Sequence, residues 1–360
     1  MPLPIAIDYR PALLSRAGIG RATRELSHAL SSCPEVCVHL FAHSLAPAKI
    51  VTEVPNNAHL HRLPIAGRAL PMLRKFGIGA EHLAGNARLF HFTDYVQPPV
   101  HNARTVLTIH DLAFVRNQAW HGSQAAELER RTRAAIAHAD ALIVPSTTTA
   151  NDVRKFAPDS PPLSVIPFGS DHVPTEQSQA PLNGRPYALC LGTIEPRKNH
   201  RTLLDAWRKL PQPRPLLVVV GATGWACDEI VADLEAAQQE GLVEWRQSCS
   251  DAELWPLLQH ACLLAYPSLW EGFGFPPLEA MALGVPVVAH STDPMLELSD
   301  NAMTLADATN VDALTEALAR VLGDRDHRNA RIAAGRLRAQ SFRWQKCAAS
   351  HVDVYREVMQ

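Results

Sequence analysis

The chain has 360 residues, 47% of them hydrophobic and 19% charged, and its formal net charge is −2. This composition is typical of a soluble globular protein, and the length favours two domains over a single hydrophobic core. No apolar run is long enough to span a membrane, and no contact with nucleic acid is expected. Seven scattered cysteines, and first residues that do not resemble a secretory signal, predict a cytoplasmic protein with reduced thiols and no metal site.

Apolar runs of strand length alternate with helical patterns in the first half of the chain. Strands are predicted at 4–8, 37–42, 87–92, 105–110 and 141–146, and helices at 20–32 and 125–139. Parallel strands need crossover helices of this kind, which cover both faces of their sheet. Residues 1–172 are therefore predicted to form one α/β domain around a mainly parallel sheet.

A stretch rich in proline, serine, glutamine and glycine interrupts the alternation, and residues 173–186 within it are predicted to be a linker. Strands are then predicted at 187–192, 215–221, 262–268 and 285–290, with helices at 199–210 and 226–239 and three more at the end of the chain. Residues 187–342 are therefore predicted to form a second α/β domain. Two doubly wound domains predict a cleft between them, with ligands bound beyond the carboxyl ends of the strands.

Two glycines follow the first predicted strand. Gly18 and Gly20 come directly before a helical pattern, and Arg21 lies at its start. The free N–H groups of a helix N-terminus can bind an anion that approaches past glycine, although an ordinary turn would use the same residues. Thr23 stands where a dinucleotide-binding fingerprint has its third glycine, so an NAD site is rejected.

His110 and Asp111 end a predicted strand in the motif TIHDL, at a position where a ligand would be met. A histidine at this position could donate a hydrogen bond to a sugar hydroxyl or shield a developing positive charge. It could also be an ordinary core histidine with its hydrogen bonds satisfied. The motif alone leaves both interpretations open.

The motif GTIEPRKN places two adjacent cations, Arg197 and Lys198, between a strand and the next helix. Cations at a helix N-terminus oppose the helix dipole, so this pair favours the presence of a neutralising anion. Arginine can hold a phosphate through two hydrogen bonds, and lysine supplies a point charge. A phosphate site is therefore preferred over a solvated pair of charges.

In the motif EGFGFPPLE, Glu271 and Glu279 flank the start of a short helix that ends at Gly284. Pro276 and Pro277 suit the first helical positions, which places Glu279 in the first turn and Glu271 in the preceding loop. The backbone amides between them can donate to a phosphate, and the carboxylates can accept hydrogen bonds from hydroxyls. Glu279 could instead cap its helix, an interpretation that leaves Glu271 unexplained.

Five motifs resemble signatures of the retaining glycosyltransferases of family 4, in the family's order: GIGRATREL, TIHDL, VIPFGSD, GTIEPRKN and EGFGFPPLE, the last an E-x7-E motif. The family has the GT-B fold, in which two Rossmann-like doubly wound parallel-sheet domains face a central cleft. The resemblance covers nearly the whole chain. It implies that residues 343–360 form a helix that crosses back to the first domain, and that the second domain holds a nucleotide-diphosphate-sugar donor while the first holds the acceptor.

By matching position, the resemblance implies that Glu279 holds the ribose hydroxyls of the donor and that Glu271 contacts the transferred sugar. The remaining donor-binding positions that it implies in the second domain are Thr193, Phe273, Gly274, Phe275 and Leu278. The family commonly has arginine at the position of Thr193, and Arg197 would take the place of that arginine.

The resemblance also implies the groups that act at the reacting bond. Arg197 and Lys198 would neutralise the diphosphate, and Gly18 and Gly20 would let the first domain close over it. His110 would lie near the transferred sugar. Together with Glu271, these residues imply metal-independent transfer of a hexose with retention of configuration, and no cofactor besides the donor substrate.

The preferred donor is GDP-mannose, and the preferred acceptor is a glycan or lipid-linked glycan of O-antigen or a similar bacterial surface polysaccharide. A lipid-linked acceptor would place the protein at the inner face of the cytoplasmic membrane. Residues 67–79, where Arg68, Arg74 and Lys75 stand among apolar side chains, suit peripheral membrane contact and packing on the first domain equally well. A nucleotide-sugar 2-epimerase of the same fold and a non-catalytic partner subunit are the alternatives.

Overall fold

The computed structural model describes residues 2–45, 48, 54–69, 72 and 75–360. The chain forms two compact units: unit 1 comprises Met1–Val115, Ala126–Gly169 and Arg343–Gln360, and unit 2 comprises Arg116–Ala125 and Ser170–Phe342. The stretch 173–186, predicted to be a linker, belongs to unit 2. Leu70, Leu73 and Arg74, which belong to the stretch predicted to contact a membrane, lie outside the described residues, so that interpretation stays a prediction.

Unit 1 is built on a parallel sheet that has seven strands among the described residues, in the order β3-β2-β1-β4-β5-β6-β7. The strands are β1 (Leu3–Asp8), β2 (Val36–His43), β3 (Ala58–Leu63), β4 (Leu89–Phe92), β5 (Arg104–Thr108), β6 (Ala141–Val144) and β7 (Leu163–Val165). The helices up to this point are α1 (Arg10–Leu14), α2 (Gly18–Ser31), α3 (Ala80–Leu83), α4 (Ala113–Arg116), α5 (Ala125–Ala137) and α6 (Thr147–Phe156). The strand order reverses between β1 and β4, which makes their carboxyl ends the switch point of the sheet.

The burial of each strand explains which strands of unit 1 could be predicted from the sequence. Every residue of β4 and β6 is buried, as expected for inner strands that helices cover on both faces. The two strands that the sequence missed, β3 and β7, lie at the edges of the sheet and are only partly buried. Edge strands need fewer apolar residues, so their sequences lack the continuous apolar run that predicts a strand.

Unit 2 repeats the architecture with a parallel sheet of six strands in the described part of the chain, ordered β10-β9-β8-β11-β12-β13. They are β8 (Tyr187–Leu191), β9 (Leu216–Val220), β10 (Val243–Arg246), β11 (Leu264–Tyr266), β12 (Val287–His290) and β13 (Thr304–Ala306). The helices are α7 (His200–Lys209), α8 (Asp228–Gln239), α9 (Asp251–Gln259), α10 (Phe275–Leu283), α11 (Asp293–Ser299), α12 (Val311–Gly323) and α13 (Arg325–Ala339). Here the strand order reverses between β8 and β11, which pair side by side.

The last helix, α14 (Trp344–Val358), belongs to unit 1, and the four apolar side chains predicted to share one face are all buried: Trp344, Ala348, Val352 and Tyr355. The hydroxyl of Tyr355 lies 2.7 Å from Nδ1 of the buried His91 in β4. A Cβ atom at Gly169 would lie 2.4 Å from the backbone nitrogen of Trp344, so only glycine lets the helix approach so closely. In the parts of the chain that the structure describes, no helix is both long and apolar enough to cross a membrane.

Candidate active site

Two neighbouring strands of unit 2 end in polar loops. β8 is followed by Gly192, Thr193 and a short 3-10 turn over Pro196–Lys198, and β11 is followed by the segment from Ser268 to Glu271. Because β8 and β11 are adjacent and parallel, these loops leave the same edge of the sheet at its switch point. The motifs GTIEPRKN and EGFGFPPLE therefore meet, although more than 70 residues separate their charged side chains.

The carboxylate of Glu271 accepts hydrogen bonds from both loops. Its Oε1 accepts from Nζ of Lys198 at 2.5 Å and from Oγ of Ser268 at 2.5 Å, and its Oε2 lies 3.1 Å from Nη1 of Arg197. Burial by itself raises the pKa of Glu271, but the charges of Lys198 and Arg197 and the hydrogen bonds outweigh it and lower the pKa to about 2. Glu271 is therefore ionised at neutral pH and can accept hydrogen bonds from a ligand's hydroxyls, but it is too weak a base to remove a proton.

Arg197 contacts a second carboxylate, which sequence reasoning missed. Its Nη2 lies 2.8 Å from Oε1 of Glu195, and its Nη1 donates to the backbone carbonyl of Trp270 at 2.6 Å. Glu195 is 1% exposed, and burial raises the pKa of its carboxyl against the opposing charges of Arg197 and Lys198. The sequence feature that could have identified Glu195 is its position in EPRKN, two residues before the first of the two cations.

The four charges of this network balance. Glu195 and Glu271 supply two negative charges, and Arg197 and Lys198 supply two positive ones. The sequence predicted that an anion would neutralise the adjacent cations, and in the structure carboxylates of the chain itself do so. Lys198 also lies beside Tyr266, with its Nζ 5.4 Å from the centre of the ring.

The helix after Glu271 begins one residue earlier than the prolines suggested. α10 starts at Phe275, and its N-cap residue Gly274 has φ of 105°, in the region that favours glycine. A Cβ atom at Gly274 would also lie 2.6 Å from Cε of Met295, so both conformation and space require glycine there. Pro276 and Pro277 have no N–H, so the backbone amides between Glu271 and the body of α10 are those of the segment that ends at Phe275.

The prediction that Glu279 lies in the first turn of this helix is wrong, because α10 starts at Phe275 and has no acidic residue in its first turn. Oε1 of Glu279 lies 3.0 Å from Nε2 of His172, and the two side chains are 2% and 4% exposed. The His172 ring packs edge-on against Phe275 and Trp255. Sequence reasoning missed His172, which directly follows the motif VIPFGSD.

The other residues predicted to bind the donor lie around the same loops of unit 2. Phe273 and Phe275 are 7% and 8% exposed and pack edge to face at 5.6 Å between ring centres. Leu278 is fully buried, so its side chain belongs to the core of the unit. Thr193 is partly buried and follows Gly192 at the end of β8.

In unit 1, Gly18 and Gly20 do not precede a helix as predicted, because both lie in the first turn of α2. A Cβ atom at Gly20 would lie 2.0 Å from the carbonyl oxygen of Ser15 and 2.8 Å from that of Pro11. Close packing of α2 against the segment after α1 therefore requires this glycine. That packing explains the glycine at position 20 without any bound anion.

His110 follows β5 in unit 1. Its Nε2 lies 3.1 Å from the carbonyl oxygen of Thr93, and its ring faces Phe168 at 5.7 Å between centres. Burial lowers the pKa of His110, and the neighbouring Thr93 carbonyl and Asp111 oppose that shift only in part. The imidazole is therefore neutral at physiological pH.

A second charged group, which sequence reasoning missed, lies at the switch point of unit 1. Nη2 of Arg10 lies 3.3 Å from Oδ2 of Asp8 and 2.9 Å from Oδ2 of Asp94. Burial raises the pKa of Asp8 to about 6, against the opposing charge of Arg10. Among the described residues, no group of three or more His, Cys, Asp and Glu side chains is arranged to hold a metal ion.

Two family models match the chain. The model described as "Glycosyl transferase 4-like domain" matches residues 17–169, and the model described as "Glycosyl transferases group 1" matches residues 174–338. The O-antigen chain mannosyltransferase B of Escherichia coli is 27% identical to this chain, and the match covers 98% of this chain and 100% of that protein.

Solved structures share the fold over the whole chain. Sucrose-phosphate synthase from Thermosynechococcus elongatus has a TM-score of 0.80 at 22% identity, covering 99% of both chains. Anabaena HepE, solved in complex with UDP and glucose, has a TM-score of 0.76 at 15% identity, covering 99% of this chain and 100% of that one. The prediction of a GT-B fold with two Rossmann-like domains is confirmed. The chain belongs to the glycosyltransferases that combine a glycosyl transferase 4-like domain with a group 1 domain.

Proposed function

We propose that this glycosyltransferase transfers mannose from GDP-mannose, with retention of configuration, to a hydroxyl of a glycan or lipid-linked acceptor during O-antigen assembly. The observation that carries the proposal is the similarity to an O-antigen chain mannosyltransferase over nearly the full length of both chains. Similarity across both units includes the unit proposed to bind the donor and the unit proposed to bind the acceptor. A lipid-linked acceptor would be met at the inner face of the cytoplasmic membrane.

The donor is proposed to bind unit 2 at the loops after β8 and β11. Transfer breaks the bond between C1 of the sugar and the β-phosphate oxygen, and the electron pair leaves with the nucleoside diphosphate. Fixed positive charge beside that diphosphate stabilises the transition state. Lys198 and the backbone amides of Phe273, Gly274 and Phe275, which lead into α10, can supply it, which supports a reaction that needs no metal.

Retention is proposed to follow from attack on the same face of the sugar. The acceptor oxygen forms the new bond to C1 as the old bond breaks, and the acceptor proton passes to the departing phosphate oxygen. The low pKa of Glu271, about 2, suits a carboxylate that accepts hydrogen bonds from the sugar and does not take this proton. His110 is neutral in unit 1, and its Nε2–H donates to the carbonyl of Thr93, so its Nδ1 is proposed to accept a hydrogen bond from a hydroxyl of the sugar.

A thermal-shift panel tests the donor. GDP and GDP-mannose should raise the unfolding temperature more than UDP, dTDP and their sugars do, because a ligand that binds only the folded state stabilises it by about 2.7 kcal/mol at 100 times its Kd. A larger response to UDP-sugars would contradict GDP-mannose as the donor and would support transfer from a UDP-sugar. No response to any nucleotide would contradict the assignment of unit 2 as a donor-binding unit.

A transfer assay tests the reaction. With GDP-mannose and a lipid-linked oligosaccharide acceptor, we expect an α-linked product at an undiminished rate in EDTA. The one-bond coupling between C1 and H1 of the transferred mannose identifies the α-linkage. Loss of the rate in EDTA, restored by Mg²⁺ or Mn²⁺, would contradict the metal-independent mechanism. Release of free or epimerised sugar without any transfer would instead support the epimerase alternative.

A further inference from the structure

The two adjacent cations of EPRKN have different surroundings. Arg197 contacts Glu195 at 2.8 Å, Glu271 at 3.1 Å and the carbonyl oxygen of Trp270 at 2.6 Å. Among the described residues, Lys198 contacts one carboxylate, that of Glu271, and its Nζ also lies 3.4 Å from the hydroxyl of Tyr266, whose ring it lies beside. The exposed fractions of the two side chains are almost equal, at 12% and 13%, so their difference lies in their partners and not in their burial.

Each cation has a different effect on Glu271 if it moves away. When Lys198 leaves, the carboxylate keeps Ser268 on Oε1 and Arg197 on Oε2. When Arg197 leaves, Oε2 loses its cation, and the buried carboxylate of Glu195 loses the cation at 2.8 Å as well. An unpaired buried charge is strongly destabilising, so movement of Arg197 is opposed by two carboxylates at once.

We propose that Glu195 and Arg197 are positioning residues that hold the carboxylate of Glu271 in place, and that of the two cations only Lys198, which the proposed function already places beside the diphosphate, leaves Glu271 when the donor binds. The inference rests on the proposed function, because it assigns parts within the same donor site. Arginine suits the first part, since its planar fork can contact two carboxylates at once. Lysine suits the second, since its ammonium is a point charge on a flexible stem that can turn to a new anion.

Four single variants distinguish the positioning role from contact with the diphosphate: Glu195→Gln, Arg197→Gln, Lys198→Gln and the control Arg201→Gln. Arg201 is a half-exposed neighbour that pairs with Glu229 and Asp233 outside the network. For each variant, the Kd for GDP and the kcat with GDP-mannose are measured, with UDP and UDP-glucose used in their place if the panel selects uridine donors. GDP carries the diphosphate without the sugar, so it reports contact with the phosphates alone.

Lys198→Gln should weaken GDP binding by about tenfold or more, as expected for the loss of a hydrogen bond between charged groups. Glu195→Gln and Arg197→Gln should leave the Kd for GDP within about threefold of the wild type and lower kcat by about tenfold or more, because they disturb only the group that contacts the sugar. Arg201→Gln should change neither quantity.

The double variant Glu195→Gln/Arg197→Gln tests whether the two residues act together. Its kcat should be no lower than that of Arg197→Gln alone, because both substitutions act through the same contact with Glu271. Multiplying effects would show that they act separately and would overturn the assignment of Glu195. Arg197→Lys, which keeps the charge but not the fork, should regain part of kcat without a change in the Kd for GDP.

Two other results would overturn the inference: an Arg197→Gln variant that loses GDP binding as fully as Lys198→Gln does, or a Glu195→Gln variant with unchanged kcat. If Arg197→Gln does not fold, Glu195→Gln and Arg197→Lys still decide the question, because both retain polar side chains of similar size. A wild-type protein that binds neither GDP nor UDP and transfers no sugar would refute the proposed function itself. That failure is seen before any variant is made.

Discussion

At the scale of single residues, the contacts of Glu271 hold its carboxyl in the ionised form. Its pKa in the folded chain is about 2, below the ordinary value of 4.5, because Lys198, Arg197 and Ser268 contact the ionised form. A lowered pKa means that the folded state holds fewer protons than the unfolded state between these two values. The stabilising contribution of Glu271 is therefore fully present above about pH 4.5 and is lost as the pH falls towards 2.

Glu271→Gln removes this contribution while keeping the size of the side chain. We expect a loss of about 3 kcal/mol in the free energy of unfolding at pH 7, since two mostly buried cations lose a charged partner. Urea denaturation at a series of pH values measures it, and the difference from the wild type should shrink as the pH falls below 4.5. A difference that is constant down to pH 2 would contradict the low pKa.

The residue scale is also where the sequence was least informative. Glu195 and Ser268 carry no pattern of their own, because a buried carboxylate and a serine become meaningful only beside the cations that they contact. The pairing of Arg197 with Glu271 joins loops from two strands, and the sequence gives their spacing but not their separation in space. The motifs singled out these two loops but not the contacts within them.

At the scale of elements, the start of α2 shows how packing decides the effect of a glycine. Glycine inside a helix normally costs about 0.5–1 kcal/mol relative to alanine, so Gly→Ala should stabilise the helix. At Gly20 the added Cβ would lie 2.0 Å from the carbonyl oxygen of Ser15, which no L-residue tolerates without movement of the backbone. Gly323, the last residue of α12, has nothing within 4 Å of an added Cβ.

Gly20→Ala should therefore lower the free energy of unfolding by about 1–3 kcal/mol, as overpacking does. The matched control Gly323→Ala should leave it unchanged or raise it by about 0.4–1 kcal/mol. Chemical denaturation of both variants measures the two effects. Equal stabilisation by both substitutions would mean that α2 can move away from Ser15 at little cost, and the packing requirement at Gly20 would not hold.

At the scale of the whole molecule, each unit has its own sheet and at least one buried tryptophan. Trp344 is 4% exposed and packs in unit 1 beside Gly169 and Phe168, whereas Trp207 is fully buried in the core of unit 2. Truncation of a buried aromatic side chain removes apolar contact and leaves a cavity, at a cost of about 3–5 kcal/mol.

Trp344→Ala and Trp207→Ala should therefore destabilise different units. In differential scanning calorimetry we expect two transitions for the wild-type chain, with Trp344→Ala lowering one midpoint and Trp207→Ala the other. GDP, if it binds as proposed, should raise the transition that Trp207→Ala lowers. A single transition that both substitutions lower equally would mean that the two units unfold together.

The fold was more accessible to prediction than the site, for a physical reason. Inner strands such as β6 and β9 are buried throughout, so their sequences are continuous apolar runs. Such runs can be recognised as strands without a structure. β3, β7, β10 and β13 are edge strands and were missed, because residues that are only partly buried can be polar. The first turn of α10 was misplaced because proline marks a helix start only to within a residue or two.

The path of the chain has a consequence for synthesis. Unit 1 is discontinuous: residues 343–360 complete it only after the whole of Ser170–Phe342 has been made. During translation, most of unit 1 emerges first. Until α14 has been made, the surface of unit 1 that α14 covers stays exposed, including Nδ1 of His91, which contacts the hydroxyl of Tyr355. Unit 2, apart from Arg116–Ala125, emerges as one continuous segment and can complete its sheet earlier. A ribosome that stalls before residue 343 therefore releases a chain whose first domain exposes apolar surface, which makes such fragments natural targets for chaperones and proteases.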